Sequence, residues 1–236
     1  MIALLLLLPQ DLTLSGERFT WKDAERSFEG VLLKPAGDGP FPAVLISHGL
    51  GGSAQGFALP KAREMLKWGL VCIAPTYTHT GKDGERATFG ASPENLKRAA
   101  ICLDILQKQP YVDAKRIAAY GNSMGAFVTI GLAAVDTRLR AAAITAGGVA
   151  PKDGMPAPSE AVAAKIRVPF YVLHGTSDTT VRPEQSAKLN EILDASKVSN
   201  GRALYDGVGH QLHQEKASDV YAKIKAWYQK HGVLTN

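Results

Sequence analysis

A serine, an aspartate and a histidine follow predicted strands in an order that suits nucleophilic catalysis. Ser123 stands in Gly-Asn-Ser-Met-Gly between a strand and a helix, while Asp178 and His210 stand in two later loops that each follow a strand. A serine hydroxyl attacks poorly unless a neutral imidazole takes its proton, and a carboxylate must fix the imidazole's tautomer. We therefore expect Ser123 as nucleophile, Asp178 as acid and His210 as base. The alternative for Asp178 and His210 is that they are ordinary surface-loop residues.

The turn that carries Ser123 is expected to be tight and strained. A strand, the pattern Gly-x-Ser-x-Gly and the immediate start of a helix would lift the hydroxyl above the sheet. Gly121 and Gly125 suit this turn because a Cβ at either position would meet neighbouring backbone. A helix that begins at Met124 directs free N–H groups to the same point, so we expect the Met124 N–H to stabilise an oxyanion. The alternative is that Ser123 only caps the helix.

A second oxyanion donor is expected from the glycine-rich loop after an early strand. This loop reads Ser-His-Gly-Leu-Gly-Gly over residues 47–52. Leu50 is the first choice for the backbone donor and Gly51 the second, and an ordinary loop that uses glycine for its turns is the alternative. His48 precedes the loop, so we expect it to hold the loop by hydrogen bonds rather than to act as the base.

Three other residues compete for the roles of acid and base. His213 follows His210 closely and could serve if that loop folds differently. His174 precedes its loop as His48 does, and we expect a structural role for it. Asp206 also ends a strand, but it lies too near His210 in the sequence to reach the far nitrogen of that ring easily.

Four loops are expected to form an open, shallow substrate cleft. They span residues 50–57, 76–91, 147–160 and 206–214. A cation in the second loop, which also carries His79, Lys82 and Phe89, could hold a substrate carboxylate, and Arg86 is the candidate. A solvated run of charges is the alternative for Arg86. Phe57 and Tyr77 are expected to line the acyl or alcohol pocket.

The elements that must position these residues alternate between apolar strands and helices. Strands are predicted over 28–33, 43–46, 70–74, 116–120, 139–145, 168–173 and 202–205, and helices over 59–68, 93–109, 124–135, 183–193 and 215–230. Such alternation predicts an α/β fold with a mostly parallel sheet covered by helices on both faces and no sizeable cap domain. Sheets of this kind bind ligands at the carboxyl ends of their strands, which is where the candidate residues stand.

The amino-acid composition restricts the kinds of protein that this chain can be. The chain has 236 residues, 45% of them hydrophobic and 21% charged, which is typical of a globular domain. Two cysteines exclude a disulfide framework and most thiolate metal sites, and their apolar surroundings predict buried thiols at Cys72 and Cys102. The net charge of +5 is spread along the chain, which disfavours nucleic acid as a partner. No apolar stretch of about 20 residues exists, so no spanning helix is expected.

The first residues permit two interpretations. The run from Ile2 to Leu8 is apolar and Pro9 follows it, as in the core of a short signal peptide cut before Gly16. No Lys or Arg precedes the run, however, and the alternative is an extension that packs on the body as a strand. Residues 1–15 are therefore a signal peptide or an N-terminal extension, and residues 16–236 form a single catalytic domain. Export and a cytoplasmic location stay equally open.

Taken together, the four loop motifs resemble those of the α/β-hydrolase superfamily, and within it the dienelactone hydrolase-like group. The resemblance covers roughly residues 28 to 230. It rests on HGLGGS at 48–53, GNSMGA at 121–126, HGTSDTTV at 174–181 and GVGH at 207–210. It implies the roles already assigned to Ser123, Asp178 and His210, and it implies that the backbone N–H groups of Leu50 and Met124 hold the oxyanion.

The chain departs from the dienelactone hydrolases at two positions. The family's nucleophile is a cysteine, where this chain has Ser123, and the family carries a glutamate in the loop where this chain has Gly49 and Leu50. A serine esterase for small substrates that needs no metal or organic cofactor is therefore the better interpretation. A small peptidase, an acyltransferase or a thioesterase would share the same groups. A ligand-binding protein on the hydrolase frame is an alternative of a different class, and a structural scaffold is the least favoured.

Overall fold

The computed structural model describes residues 12–81, 83–150 and 156–235 and builds a 9-stranded sheet from them. The strands are β1 Leu12–Ser15, β2 Arg18–Lys22, β3 Ser27–Leu33, β4 Phe41–Ser47, β5 Val71–Pro75, β6 Val112–Asn122, β7 Leu139–Thr145, β8 Phe170–Gly175 and β9 Asn200–Tyr205. The α-helices are α1 Leu59–Leu66, α2 Pro93–Lys108, α3 Met124–Val135, α4 Glu160–Ala163, α5 Pro183–Ala195, α6 Leu212–Glu215 and α7 Ala217–Lys230.

The sheet order brings the carboxyl ends of the central strands together. The order of the strands in the sheet is β1-β2-β3-β5-β4-β6-β7-β8-β9. The first three neighbouring pairs, β1–β2, β2–β3 and β3–β5, are antiparallel. The remaining five neighbouring pairs, from β5–β4 to β8–β9, are parallel. Ser47 at the end of β4 pairs with Gly121 on β6, and Asn122 pairs with Thr145 at the end of β7. The loops that follow these strands therefore start side by side at one edge, as the predicted α/β fold requires.

Helices cover both faces because successive residues of a buried strand point in opposite directions. On β4, Leu45 belongs to the core cluster that includes Leu103 of α2 and Phe127 of α3. Its neighbour Ile46 belongs to the other cluster, with Met65 of α1. Neither face of the strand is solvated, which is why the central strands read as continuous apolar runs rather than alternating ones. The α/β-hydrolase fold predicted from the sequence is confirmed.

Most predicted elements are present, with shifted ends. Helix α3 and strand β7 have the predicted bounds, and α2 begins as predicted, with the Ser92 side chain accepting the Asn95 N–H. The predicted helix over 215–230 is interrupted at Lys216, whose φ of −131° is not helical, so α6 and α7 are separate. A π-helix, Ala54–Ala58, precedes α1.

The hairpin of β1 and β2 was missing from the sequence prediction. Phe19 and Trp21 of β2 are buried while Arg18, Thr20 and Lys22 are exposed, a period of two that is typical of a half-buried strand. The prediction of a signal peptide or extension over 1–15 falls largely on residues 1–11, which lie outside the described residues.

The structure also describes the two cysteines and the lengths of the helices. Cys72 and Cys102 are free and buried, and burial raises the pKa of both thiols. In the part of the chain that the structure describes, no helix is both long and apolar enough to cross a bilayer.

Candidate active site

Ser123 sits on a strained turn between β6 and α3. Its φ of 55° and ψ of −120° are unfavourable for a residue with a side chain. The turn closes because its neighbours are glycines: a Cβ on Gly121 would lie 2.2 Å from the Gly125 carbonyl oxygen, and a Cβ on Gly125 would lie 2.2 Å from the Ser47 carbonyl oxygen. The Ser123 side chain makes no capping hydrogen bond to α3, which disfavours the alternative of a helix cap.

The structure brings Ser123, His210 and Asp178 into one hydrogen-bonded row. His210 Nε2 lies 2.8 Å from Ser123 Oγ, and His210 Nδ1 lies 2.7 Å from Asp178 Oδ2. A carboxylate only accepts, so Nδ1–H donates to Asp178 and Nε2 is left to accept the serine proton. The row can therefore move a proton from the serine hydroxyl to the imidazole.

Asp178 is almost completely buried, and both of its oxygens are occupied. Oδ1 accepts the backbone N–H groups of Thr180 and Val181, at 2.9 and 3.0 Å. Oδ2 accepts His210 and also His174 Nε2, at 3.1 Å. Burial alone would raise the pKa of Asp178, but the hydrogen bonds from His174, His210 and Val181 outweigh it and hold this pKa well below its usual range. Asp178 is therefore a carboxylate at neutral pH.

Two backbone N–H groups near Ser123 are free to bind an oxyanion. Among the described residues no acceptor takes the N–H of Leu50 or of Met124, and both residues line the cavity above Ser123. The second choice from the sequence, Gly51, is contradicted because its N–H donates to the His79 carbonyl at 2.9 Å. Leu50 and Met124 thus stay the candidates for the two donors.

Buried histidines hold the loop that carries Leu50. His48 donates from Nδ1 to the Gly49 carbonyl and accepts the Tyr77 N–H at Nε2, both at 2.9 Å. His79 donates from Nε2 to the His48 carbonyl, also at 2.9 Å. Burial lowers the pKa of His48 to about 3 and that of His79 to about 4, so both rings are neutral near pH 7. His48 supports the loop, as expected, and His79 is a support rather than a cation.

The other candidates for the acid and the base form hydrogen bonds to groups other than the Ser123 hydroxyl. His213 Nε2 is hydrogen-bonded to the Tyr120 hydroxyl, while His174 contacts Asp178 rather than the serine. Asp206 is exposed and accepts the Thr176 hydroxyl at 3.2 Å. In the described part of the chain, His210 is the imidazole that reaches Ser123.

A cavity of about 870 Å³ opens above Ser123. It is lined by Gly49, Leu50, Gly51, Gly52, Ser53, Gly56, Phe57, Arg86, Phe89, Asn122, Ser123, Met124, Phe127, Pro156, Thr180, Val181, Gln185, His210 and Gln211. Phe57 and Arg86 are among these lining residues, so their predicted contact with a substrate stays a prediction. The expectation for Tyr77 is wrong, because this ring is fully buried and its hydroxyl is hydrogen-bonded to Ser47 Oγ at 2.9 Å.

Sequence reasoning missed several residues that line the cavity. Asn122 directly precedes Ser123, and Gln211 directly follows His210. Their positions next to these two residues in the sequence could have indicated that they line the cavity. Phe127 and Gln185 lie in the first turns of α3 and α5, which begin at the same edge of the sheet. No Asp or Glu is among the described lining residues, and Arg86 is exposed at the rim. Lys82 and residues 151–155 lie outside the described residues.

Comparison with known proteins places the chain among hydrolases. The family model described as the dienelactone hydrolase family matches residues 28–235. A candidate carboxymethylenebutenolidase of Yersinia pestis is 23% identical over 215 residues, which cover 83% of this chain and 80% of that protein.

Solved structures share the fold. A candidate dienelactone hydrolase from Klebsiella pneumoniae superposes with a TM-score of 0.71 at 18% identity, covering 88% of this chain and 95% of the other. The acylaminoacyl peptidase of Pyrococcus horikoshii superposes with a TM-score of 0.77 at 14% identity, over 93% of this chain but 42% of the peptidase. The chain thus spans less than half of that peptidase.

Proposed function

The chain belongs to the dienelactone hydrolase family, and from that premise we propose that it hydrolyses carboxylic esters of small substrates through an acyl-enzyme on Ser123. The observation that carries the proposal is the position of the His210 ring. It lies 2.8 Å from the Ser123 hydroxyl on one side and 2.7 Å from the Asp178 carboxylate on the other. A ring held in this way can accept a proton at Nε2 while its Nδ1–H stays bonded to the carboxylate.

In the first half of the proposed reaction, Ser123 attacks the ester carbonyl. His210 takes the serine proton, the Oγ–C bond forms, and the carbonyl oxygen becomes an oxyanion. The N–H groups of Leu50 and Met124 hold this oxyanion, and each such donor contributes about 3 kcal/mol to transition-state stabilisation. The C–O bond to the alcohol then breaks as His210 returns the proton to the leaving oxygen, which leaves an acyl-enzyme.

In the second half, water attacks the acyl-enzyme. His210 removes a proton from the water, the same two N–H groups hold the second oxyanion, and the proton returns to Ser123 Oγ as the acid leaves. Asp178 stays ionised throughout and fixes the imidazole tautomer. The proposed chemistry uses only these side chains and backbone groups of residues 16–236, which we propose to be one catalytic domain.

The departures from the family pattern favour a serine esterase over the dienelactone reaction itself. The nucleophile is a hydroxyl rather than a thiol, and Gly49 and Leu50 stand where the family carries a glutamate. A thiol, with an ordinary pKa of about 8.5, is partly ionised near neutral pH, but a serine hydroxyl needs a base that accepts its proton during attack. His210 is in the position to be that base.

The cavity favours a small and mostly apolar substrate. Phe57, Phe127 and Val181 give it apolar walls, and the described lining residues include the cation Arg86 but no Asp or Glu. We propose that Phe57 packs on the acyl or alcohol group and that Arg86 binds a carboxylate on the substrate. A solvated Arg86 without a substrate role is the alternative.

A hydrolysis panel tests the proposed function. It contains p-nitrophenyl esters of increasing chain length, a lactone, a thioester and an N-acylaminoacyl amide, each assayed with the wild type and with Ser123→Ala. We expect ester hydrolysis that Ser123→Ala abolishes, and a fluorophosphonate probe that labels Ser123. Preference for the amide would indicate a peptidase, and no turnover together with no labelling would indicate a binding protein.

A further inference from the structure

A chain of hydrogen bonds runs from the half-buried His213 of α6 to the residue before the nucleophile. His213 Nε2 is bonded to the Tyr120 hydroxyl, which lies 2.8 Å from Thr145 Oγ1, and Thr145 Oγ1 lies 2.8 Å from Asn122 Oδ1. Tyr120 and Thr145 are fully buried, and Asn122 is 8% exposed. In the reaction proposed above, none of these groups has a role.

The direction of the protons along this chain follows from its far end. Nδ1 of His213 is buried and has no hydrogen-bond partner among the described residues. Burial, together with the charge of Lys61, lowers the pKa of His213 to about 3, so the ring is neutral and carries one proton. A buried lone pair without a partner is tolerated more readily than a buried N–H without one. The proton is therefore on Nε2 and is donated to the Tyr120 oxygen.

Every later donor is then fixed in turn. The Tyr120 hydroxyl has its own proton to give to Thr145 Oγ1, and the Thr145 hydroxyl gives its proton to Asn122 Oδ1. If the Asn122 amide were flipped, all the protons would reverse and His213 would carry an unpartnered buried N–H at Nδ1. The relay, defined as His213, Tyr120, Thr145 and Asn122, thus holds the Asn122 carboxamide with its oxygen inward and its NH₂ group outward.

The NH₂ group of Asn122 lies next to Gly49, which, like Asn122 itself, lines the cavity beside the nucleophile. Asn122 lines the cavity, and among the described residues no acceptor takes its amide N–H. A Cβ built on Gly49 would lie 3.4 Å from Asn122 Nδ2 and 3.3 Å from Ser123 Cβ, so the amide and the nucleophile both lie close to the loop that carries Leu50. A donor there, left without a protein acceptor, is placed for an oxygen of the substrate.

We propose that Asn122 donates a hydrogen bond to a substrate oxygen next to the carbonyl under attack, and that the relay holds the amide in the orientation this requires. Asn122 is then a substrate-contacting residue, while Tyr120, Thr145 and His213 are positioning residues that act through it. This inference rests on the proposed function, because it needs a substrate acylating Ser123.

The test is a double-mutant cycle measured with p-nitrophenyl butyrate. Asn122→Ala should lower kcat/KM about tenfold, the effect of losing one hydrogen bond to the transition state. Asn122→Asp, which keeps the acceptor for Thr145 but removes the N–H, should also lower kcat/KM and guards against a folding defect in the alanine variant. Tyr120→Phe breaks the relay away from the cavity and should lower kcat/KM severalfold. In the Asn122→Ala background, Tyr120→Phe should cost nothing more, because it acts only through Asn122.

Tyr228→Phe is the matched control for Tyr120→Phe. The Tyr228 hydroxyl is also buried and donates to the Ala119 carbonyl of β6, and no hydrogen bond among the described residues links it to Asn122. The kcat/KM of the Tyr228→Phe variant should stay within about twofold of the wild-type value.

Three outcomes overturn parts of the proposal separately. Wild-type kcat/KM in both Asn122 variants, with Ser123→Ala inactive, overturns the role of Asn122 and leaves the proposed function standing. Tyr120→Phe could instead lower kcat/KM by the same factor in the wild type and in Asn122→Ala. That result overturns the positioning role of the relay, because a tyrosine that only supports the fold would act independently of Asn122. Activity that survives Ser123→Ala overturns the proposed function and this inference with it.

Discussion

His174 Nε2 lies 3.1 Å from Asp178 Oδ2, the same oxygen that accepts His210. Both members of the His174–Asp178 pair are fully buried at their side chains. His174 Nε2 also lies 2.8 Å from the Val181 carbonyl oxygen, and its Nδ1 has no partner among the described residues, so Nε2 carries the proton. His174 is therefore a second donor to the carboxylate oxygen that accepts His210.

Replacing His174 should raise the pH at which acid unfolding begins. The pKa of Asp178 is held low in the folded protein, so its ionised form stabilises the fold above pH ~4 and this contribution is lost as the pH falls through the folded value. His174→Phe removes one donor and raises that pKa, so acid unfolding followed by circular dichroism should begin at a higher pH. His174→Gln, which can place an N–H near the same oxygen, should restore part of the difference. Identical acid transitions in wild type and His174→Phe would count against this role.

Removal of the Ser123 hydroxyl should abolish turnover. Ser123→Ala should lower kcat by about 10⁵-fold, because Asp178 and His210 have no nucleophile to activate. The melting temperature should not fall, since alanine keeps the Cβ in the same strained turn. Ser196→Ala, a serine at the end of α5, is the control and should keep wild-type kcat. An active Ser123→Ala would refute the nucleophile assignment.

Three histidines with lowered pKa values should make stability depend on pH below neutrality. Their folded pKa values, about 3 for His48, about 4 for His79 and about 3 for His213, lie below the usual 6.5. Neutral rings thus stabilise the fold above pH ~6.5, and that stability is lost as the pH falls from there toward the folded values. His79→Gln, which keeps a donor for the His48 carbonyl, should flatten the slope of unfolding free energy between pH 6 and 4 by up to about 1.4 kcal/mol per pH unit. Urea titrations at several pH values measure this slope, and an unchanged slope would contradict the prediction.

A methyl group at Gly125 should be far more harmful than one at Gly81. A Cβ on Gly125 would lie 2.2 Å from the Ser47 carbonyl oxygen, whereas a Cβ on Gly81 would meet none of the described residues within 4 Å. We expect Gly125→Ala to displace the turn, destabilise the protein by about 3 kcal/mol or more and remove activity. Gly81→Ala, the matched control, should leave both unchanged. Chemical denaturation and the ester assay compare the two variants.

Arg86 should affect only substrates that carry a carboxylate. Arg86→Ala is expected to lower kcat/KM for an ester with a free carboxylate about tenfold relative to the neutral ester of the same length, because a charge-assisted hydrogen bond is lost. Arg167→Ala, a control arginine outside the cavity lining, should leave the ratio of the two substrates unchanged. An unchanged ratio in Arg86→Ala would remove Arg86 from the substrate site.

The sequence predicted the candidate site better than it predicted the ends of the elements. Ser123, Asp178 and His210 were predicted to meet because each follows an apolar strand and strand ends of a parallel sheet lie at one edge, and the structure places them in hydrogen-bonding contact. Tyr77 was misplaced because a residue just after a strand can point into the cavity or into the core, and no local pattern separates the two. Gly51 was misjudged as a donor because its partner, the His79 carbonyl, belongs to another loop.

What the sequence determined by itself was the fold class, the strained turn and the three groups available for nucleophilic chemistry. These depend on local spacing, on apolar periodicity and on glycines that neighbouring backbone requires. The tertiary structure alone decided which histidine reaches the serine, which backbone N–H groups are free and which way the Asn122 amide points. Each of these depends on hydrogen bonds between residues far apart in the chain, and a distance between such residues is set by the packing of whole elements rather than by any segment.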